Sequence, residues 1–200
     1  MAAQRDNSIR MPTAFDEVPV AVAPDEGELV RRLSAFEADA WELLFQRDFQ
    51  RVYKFAFIRT GDASAAEDIA AEVFEEAARR IGGFEFRGLP VSAWLFRVAR
   101  NLTADHLARR RRRPVVSLEQ AGIDEPLALS DLDSLADIGR AMECLTREQQ
   151  EVIALRFITG CDLLETAAAV DKTVGAVKLL QHRALRALRK RLEWRDGERV

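Results

Sequence analysis

Apolar residues recur every three to four positions along most of this chain, and no stretch alternates apolar with polar, so the pattern predicts helices and no strands. Residues 1–33, with Asp6, Asn7, Pro12, Pro19, Pro24 and Gly27, hold no sustained period and are expected to form a disordered tail. A long helix is predicted from about Ala35 to Arg59, with Trp41, Leu44, Phe45, Val52 and Ala56 on its inner stripe and Gly61 as its stop. Ser64 and Glu67 have capping-box spacing for the next helix, in which Ala66, Ile69, Ala70, Val73 and Ala77 face inward while Asp68, Glu72, Glu75 and Glu76 face out. Gly82-Gly83 closes it. After a short loop, Phe84 to Leu89, Pro90 suits the first turn of a third helix, whose core stripe is Trp94, Leu95, Val98 and Leu102.

The second half of the chain has its own period. Thr146 and Gln149 form a capping box ahead of a helix carrying Val152, Ile153, Leu155 and Phe157, which Gly160 ends. Leu163 to Val170 is a short helix with the small Ala167 where two helices can cross closely, and Asp171-Lys172 is a turn. Thr173 caps the last helix, with Val174, Val177, Leu188 and Leu192 inward. The expected fold is therefore all-α. It consists of two helical domains, 34–113 and 139–196, joined by an acidic flexible linker, 114–138, and the second domain is a helix-turn-helix.

Net charge is uninformative at -3, but its distribution is not. Between Pro114 and Ile138 there is no Lys or Arg, while Glu119, Asp124, Glu125, Asp131, Asp133 and Asp137 are acidic. From Thr173 to Arg195, Lys178, Arg183, Arg186, Arg189, Lys190, Arg191 and Arg195 face a single acid, Glu193. The third helix ends on an arginine run, Arg109 to Arg113, and its polar face bears Arg97, Arg100, Asn101 and Asp105. Local field rather than net charge decides where a polyanion binds. Arginines suit phosphates and Arg or Asn suit base edges, so both basic helices are candidates for DNA contact. The alternative for the arginine run is a solvated charge cluster or a nuclear-style address. In a helix-turn-helix the second helix enters the major groove N-terminus first, which places Thr173, Ala176, Lys178 and Leu179 nearest the bases and Arg183 and Arg186 at phosphates. An ordinary three-helix bundle with a basic end is the alternative there.

Taken together, the two halves resemble the two-domain, extracytoplasmic-function type of bacterial sigma-70 factor. Ala66-Glu67-Asp68-Ile69-Ala70-Ala71-Glu72-Val73-Phe74 is similar to the family's polymerase-binding helix. Phe86-Arg87-Gly88, Trp94-Leu95 and Ala99-Arg100-Asn101 are similar to its promoter-melting loop and helix. Leu145, Val152-Ile153, Leu155-Arg156-Phe157, Gly175-Ala176-Val177-Lys178 and His182-Arg183-Ala184 resemble its second DNA-binding domain.

The resemblance implies a sigma factor that binds core RNA polymerase, through its beta and beta-prime subunits, and directs promoter recognition, DNA melting and transcription initiation. Asp68, Glu72 and Phe74 would bind polymerase. Phe86, Arg87, Arg97, Arg100, Asn101 and Arg109 would contact the −10 element, with a flipped base captured by the Phe84 to Ser92 loop. Trp94 is open to two roles, core residue or stacking platform. Thr173, Ala176, Lys178, Leu179, Arg183 and Arg186 would contact the −35 element. The linker would thread through the polymerase or simply be disordered, and an anti-sigma factor is a further expected partner. This chain departs from the family at Ala71, where Gln is common, at Ala176, where Thr is usual, at the apolar Leu179-Leu180 pair, at Thr166 and at Asp171.

A free-standing helix-turn-helix regulator would leave the segment from Trp94 to Arg113 unexplained. An enzyme is not expected, because His106 and His182 lack partners for metal or nucleophilic chemistry and no Gly-rich phosphate loop occurs; no cofactor is expected either. No apolar run approaches a membrane span and the N-terminus lacks a signal-peptide core, so the expected location is cytoplasmic without membrane insertion. Only Cys144 and Cys161 are present, without metal-like spacing, consistent with a reducing compartment.

Overall fold

The computed structural model describes residues 25–84, 86, 88–112 and 129–197. Its elements are α1 (Glu26–Ser34), α2 (Ala38–Thr60), α3 (Ala63–Arg80), α4 (Val91–Arg112), α5 (Leu129–Ala141), α6 (Arg147–Ile153), α7 (Leu163–Val170) and α8 (Val174–Gly197), and no strand occurs among the described residues. Helices α2, α3 and α4 pack together, as do α6, α7 and α8.

Residues 1–24 lie outside the described residues, and α1 occupies the last eight residues, 26–33, of the segment expected to be a tail. Asp25 accepts the Gly27 N–H at 3.0 Å, and Leu29, Val30 and Leu33 are buried. Glu26 has two tasks. One carboxylate oxygen accepts the Val91 N–H at 3.1 Å and so caps the start of α4, while the other pairs with Arg47 at 2.7 Å. A carboxylate there satisfies an orphan donor and complements the positive end of the helix dipole.

Gly61 ends α2 as expected, in the left-handed conformation at φ 66°, with its N–H donating to Phe57 at 2.8 Å. The cap of α3 is Asp62 rather than the Ser64–Glu67 pair, because Asp62 is the extended residue and accepts the Ala65 N–H. Ser64 already lies inside the first turn. The inner stripe of α3 is as expected, with Ala66, Ile69, Ala70, Val73 and Ala77 buried. In α2, Phe45 departs from its expected place inside. It is 47% exposed, its ring stacked on Phe49 at 4.5 Å and edge-on to Phe74 at 5.2 Å. In α4 the buried line is Leu95, Phe96, Ala99 and Thr103, while Trp94, Val98 and Leu102 are only partly covered.

Helix α5 begins inside the segment expected to be linker through residue 138. Leu135 is buried, and a Cβ at Gly139 would approach the Ile58 carbonyl to 3.3 Å, so glycine permits the close crossing on α2. The Thr146–Gln149 capping box forms as expected. Beyond it the helix widens into a π-turn, Ala154–Ile158, and the added residue carries Phe157 outward to 53% exposure instead of into the core. Helix α7 matches its expected bounds, and Asp171 after it takes the left-handed conformation at φ 56°.

Two thiols differ sharply in environment. Cys144 is exposed; Cys161 is buried beside Thr159 Oγ1, at 3.3 Å, and its burial pushes the thiol up to about 12. The neutral thiol is therefore the folded form, and its contribution to stability is fully present below pH 9 and lost as pH rises toward 12. At pH 8, Ellman's reagent is expected to titrate one thiol rapidly and the second only in denaturant; two fast thiols in the native protein would contradict this placement.

Candidate nucleic-acid interface

Three surfaces emerge from these helices. The first is the outward face of α3. Asp68, Glu72 and Glu75 are exposed, and Glu76 is neutralised by Arg79 at 2.9 Å and by Arg80. Asp68 and Glu72 make no ion pair among the described residues, so their charge is free to meet a cation from outside. Phe74 is buried beneath Phe45 and supports this face from below rather than standing on it.

The second surface surrounds the start of α4. Phe84, Leu89, Pro90, Ala93, Trp94 and Arg97, with Ala168 from α7, line a cavity of about 280 Å³. Trp94 is half-buried with Phe84 tilted against it at 5.2 Å, so it belongs both to the core edge and to the cavity wall. An apolar, aromatic recess with one guanidinium at its rim suits a flat heteroaromatic group. Phe86 is exposed and lies against Gly27, whereas Arg87 falls outside the described residues.

Arg97, Arg100 and Asn101 do not form one uniform face. Asn101 turns to the α3 side, where it lines a groove with Glu72, Glu76, Arg79 and Arg80. Arg97 and Arg100 turn toward α7. Arg97 donates to the Ala168 carbonyl through Nη2 at 2.8 Å and Nε at 3.2 Å, and Arg100 donates to the Ala169 carbonyl at 3.2 Å. The arginine run is divided too. Arg109 to Arg112 are all exposed, and Arg110 alone of them donates to the Thr60 carbonyl, at 3.2 Å and at the negative end of α2, while Arg113 falls outside the described residues.

The third surface is α8. Thr173 accepts the Ala176 N–H at 3.2 Å, so its hydroxyl is engaged in capping as the sequence leads one to expect. Val177 and Ala184 are fully buried and hold the helix on α6 and α7. Lys178, Leu179, Arg183 and Arg186 are exposed and Ala176 is half-buried. No ion pair among the described residues holds Lys178, Arg183 or Arg186. Leu192, expected inward, lies outside the residues whose side chains are described.

Sequence reasoning missed the residues that join the two halves. Arg51 donates to the Thr159 carbonyl at 2.8 Å, Ser92 to Glu165 at 2.9 Å, and Arg59 to Gln150. Glu151, only 5% exposed, sits at 3.1 Å from Arg100, 3.0 Å from Arg147 and 3.9 Å from Arg59. Burial holds the Arg59 guanidinium below its ordinary value despite Glu151 beside it. Local periodicity carries no signal for contacts between residues this far apart in the chain. Among the described residues no three His, Cys, Asp or Glu converge as metal ligands, and no helix is long and apolar enough to cross a membrane.

Residues 44–113 match the family described as Sigma-70 region 2, and residues 141–190 match Sigma-70, region 4. The chain is 40% identical over 167 residues to the ECF RNA polymerase sigma factor BldN of Streptomyces coelicolor, covering 80% of this chain and 63% of that protein. It is 30% identical to SigX of Bacillus subtilis over 78% of this chain and 84% of that one. It is 31% identical to SigL of Mycobacterium tuberculosis over 80% and 93% respectively. In fold it is similar to CnrH, solved in complex with the cytosolic domain of CnrY, with a TM-score of 0.67 at 23% identity over 84% of this chain and 97% of that one. A second fold neighbour is RpoE of Bartonella quintana, solved with the anti-sigma factor NepR, with a TM-score of 0.60 at 23% identity over 78% and 97%.

Proposed function

The chain belongs to the extracytoplasmic-function group of the sigma-70 family, and from that premise we propose that it binds core RNA polymerase and directs promoter recognition, DNA melting and transcription initiation. The observation that carries this reading is the coexistence, on one chain, of exposed acids on α3 that pair with no cation among the described residues and two separate DNA-suited helices, α4 and α8. A stand-alone helix-turn-helix regulator needs only the last of these.

In this proposal residues 34–113 form the polymerase- and −10-binding domain, 139–196 the −35-binding domain, and 114–138 the connection between them. Asp68 and Glu72 meet the polymerase clamp, with Phe74 setting the height of Phe45 beneath the contact. Phe86, Arg87 and the cavity at Trp94 receive an unpaired base, while Arg97, Arg100, Asn101 and Arg109 follow the strand backbone and base edges. Removing a base from its stack costs a few kcal/mol, which an enclosing aromatic recess can return. On α8, Lys178, Arg183 and Arg186 take phosphates, and Thr173, Ala176 and Leu179 approach the bases. Ala176 and Leu179 can meet thymine methyl groups but offer no bidentate hydrogen bonds, so −35 recognition leans on the cations and on DNA shape. The protein acts in the cytoplasm as a non-catalytic subunit without a cofactor, and an anti-sigma factor is a proposed partner.

The test is transcription from purified components. Core polymerase plus this chain is expected to give a defined run-off product from its own promoter, and core alone none. Duplex binding by the chain without association with core, and no product, would favour the stand-alone regulator instead.

A further inference from the structure

Helix α1 lies ahead of residue 44, where the match to Sigma-70 region 2 begins, yet two of its residues hold the elements that the proposed function assigns to the melted strand. Glu26 Oε2 accepts the N–H of Val91, the first residue of α4, at 3.1 Å. Its other oxygen, Oε1, pairs with Arg47 of α2 at 2.7 Å, so the carboxylate is held from both sides and is only 11% exposed. Arg47 continues at 2.9 Å to Asp48, which is fully buried, and Asp48 pairs in turn with Arg51. The Arg51 guanidinium lies 5.3 Å from the centre of the Phe96 ring, on α4 again. This line of charges therefore touches α4 at its first N–H and at a fully buried ring, two points separated by a rise of about 7.5 Å along the helix. Two anchors so spaced fix the height and the rotation of α4 on α2, and with them the direction in which Trp94 and Arg97 project. Next to Glu26, a Cβ on Gly27 would stand 3.4 Å from Phe86 Cδ1 and 3.6 Å from Cε1, so the exposed Phe86 ring rests on the bare backbone of α1. The helix is itself anchored, with Leu29, Val30 and Leu33 buried and the Leu33 carbonyl accepting the Trp41 Nε1–H at 3.1 Å.

We infer that α1 belongs to the strand-opening apparatus: Glu26 and Gly27 are positioning residues that set the start of α4 and the Phe86 ring for unpaired bases. This rests on the assignment of α4 and Phe86 to the −10 element. Neither residue touches DNA in this scheme; Glu26 acts through Val91 and Gly27 through Phe86. The glycine follows the same logic as the carboxylate. Inside a helix it is a poor former, and what its missing side chain makes room for is the Phe86 ring.

Three variants of the full chain, each assembled with core polymerase, test this. Glu26→Ala removes the acceptor from Val91, while Arg47 keeps Asp48 as its partner. The open complex, read by permanganate reactivity of unpaired thymines, is expected to fall about tenfold, in keeping with the loss of one helix cap. Core association and gel-shift binding to duplex promoter are expected at the parental level. Hydrogen exchange at the Val91 amide should accelerate while α3 stays protected. Glu26→Gln retains a carbonyl oxygen for the Val91 N–H and should recover opening to within about threefold of the parent. Gly27→Leu separates positioning from stability. Leucine is the better helix former, so the melting temperature should be unchanged or higher, yet its side chain displaces the Phe86 ring and opening should fall at least about threefold. Parental opening in Glu26→Ala or in Gly27→Leu would overturn the inference. So would a loss in Glu26→Ala that Glu26→Gln does not recover, because the cap on Val91 would then not be the route. Loss of core association in either variant would show that α1 supports docking rather than opening. Should Glu26→Ala not fold, Gly27→Leu decides alone. If the parent itself gives no run-off product, the sigma assignment fails before any variant is compared.

Discussion

Replacing Asp68 and Glu72 together by arginine is expected to abolish association with core RNA polymerase. Both side chains are exposed on α3 and neither has an ion-pair partner among the described residues, so reversal turns two available anions into two cations on the face proposed to dock on polymerase. Juxtaposed like charges cost several kcal/mol at an interface, which corresponds to a drop of roughly a hundredfold or more in affinity. The fold should survive, because Ala66, Ile69, Ala70, Val73 and Ala77 carry the packing of α3 and are untouched. Exposed substitutions of this kind usually change stability by less than about 0.5 kcal/mol. Asp68→Arg alone serves as a second point, since Glu72 also lines the groove with Arg79, Arg80 and Asn101 and its reversal adds repulsion inside the protein. Binding would be followed by co-migration with core in native gels and by run-off activity. Parental affinity in the double variant, with the helix content preserved, would remove polymerase docking from this face.

The helical periods and most stops were legible because they are local. The inner stripe of α3, the Thr146–Gln149 box, the bounds of α7 and the left-handed Asp171 each follow from residues within one or two turns of each other. What escaped were features set by distant partners. The apolar triplet Leu29, Val30 and Leu33 spans too short a window to outweigh Pro24 and Gly27, and α1 gains its stability from burial and from the Glu26 interactions with Val91 and Arg47. Helix α5, within the segment expected to be linker, escaped for a similar reason, since it packs Leu135 and Gly139 on α2, while residues 114–128 lie outside the described residues. The outward turn of Phe157 follows from a π-turn that no residue type announces.

The candidate site divides in the same way. Residue types and spacing were enough to place Asp68 and Glu72 on an outward face and to mark α4 and α8 as basic, and Asp68, Glu72, Lys178 and Arg183 are exposed. The same signals could not tell Arg109 from Arg110, which donates to the end of α2, nor separate Asn101 on the α3 side from Arg97 and Arg100 on the α7 side. Those distinctions depend on which helix lies across each face, and only tertiary packing decides that.

That separation sharpens the last expected result, in which the two helices proposed to face DNA fail in different steps. Lys178→Ala/Arg183→Ala removes two exposed cations from α8 without touching Val177 or Ala184, the residues that seat it. Duplex promoter binding by the holoenzyme should weaken, and each phosphate left without its cation should flatten the dependence of log K on log salt by about 0.9. Asn101→Ala acts elsewhere. Its amide lines the groove beside α3 rather than the α7 interface, alanine there leaves both Asp68 and Glu72 in place, and its proposed role is toward bases exposed after strand separation. Holoenzyme assembly and closed-complex formation should therefore be nearly parental, while the open complex falls by about ten- to a hundredfold, matching the roughly 1–3 kcal/mol that one base-edge interaction contributes. Permanganate reactivity of unpaired thymines measures opening, and a gel-shift on the same fragment measures duplex binding. Opening at the parental level in Asn101→Ala, or an unchanged salt slope in the α8 variant, would show that the two helices do not share the work in this way.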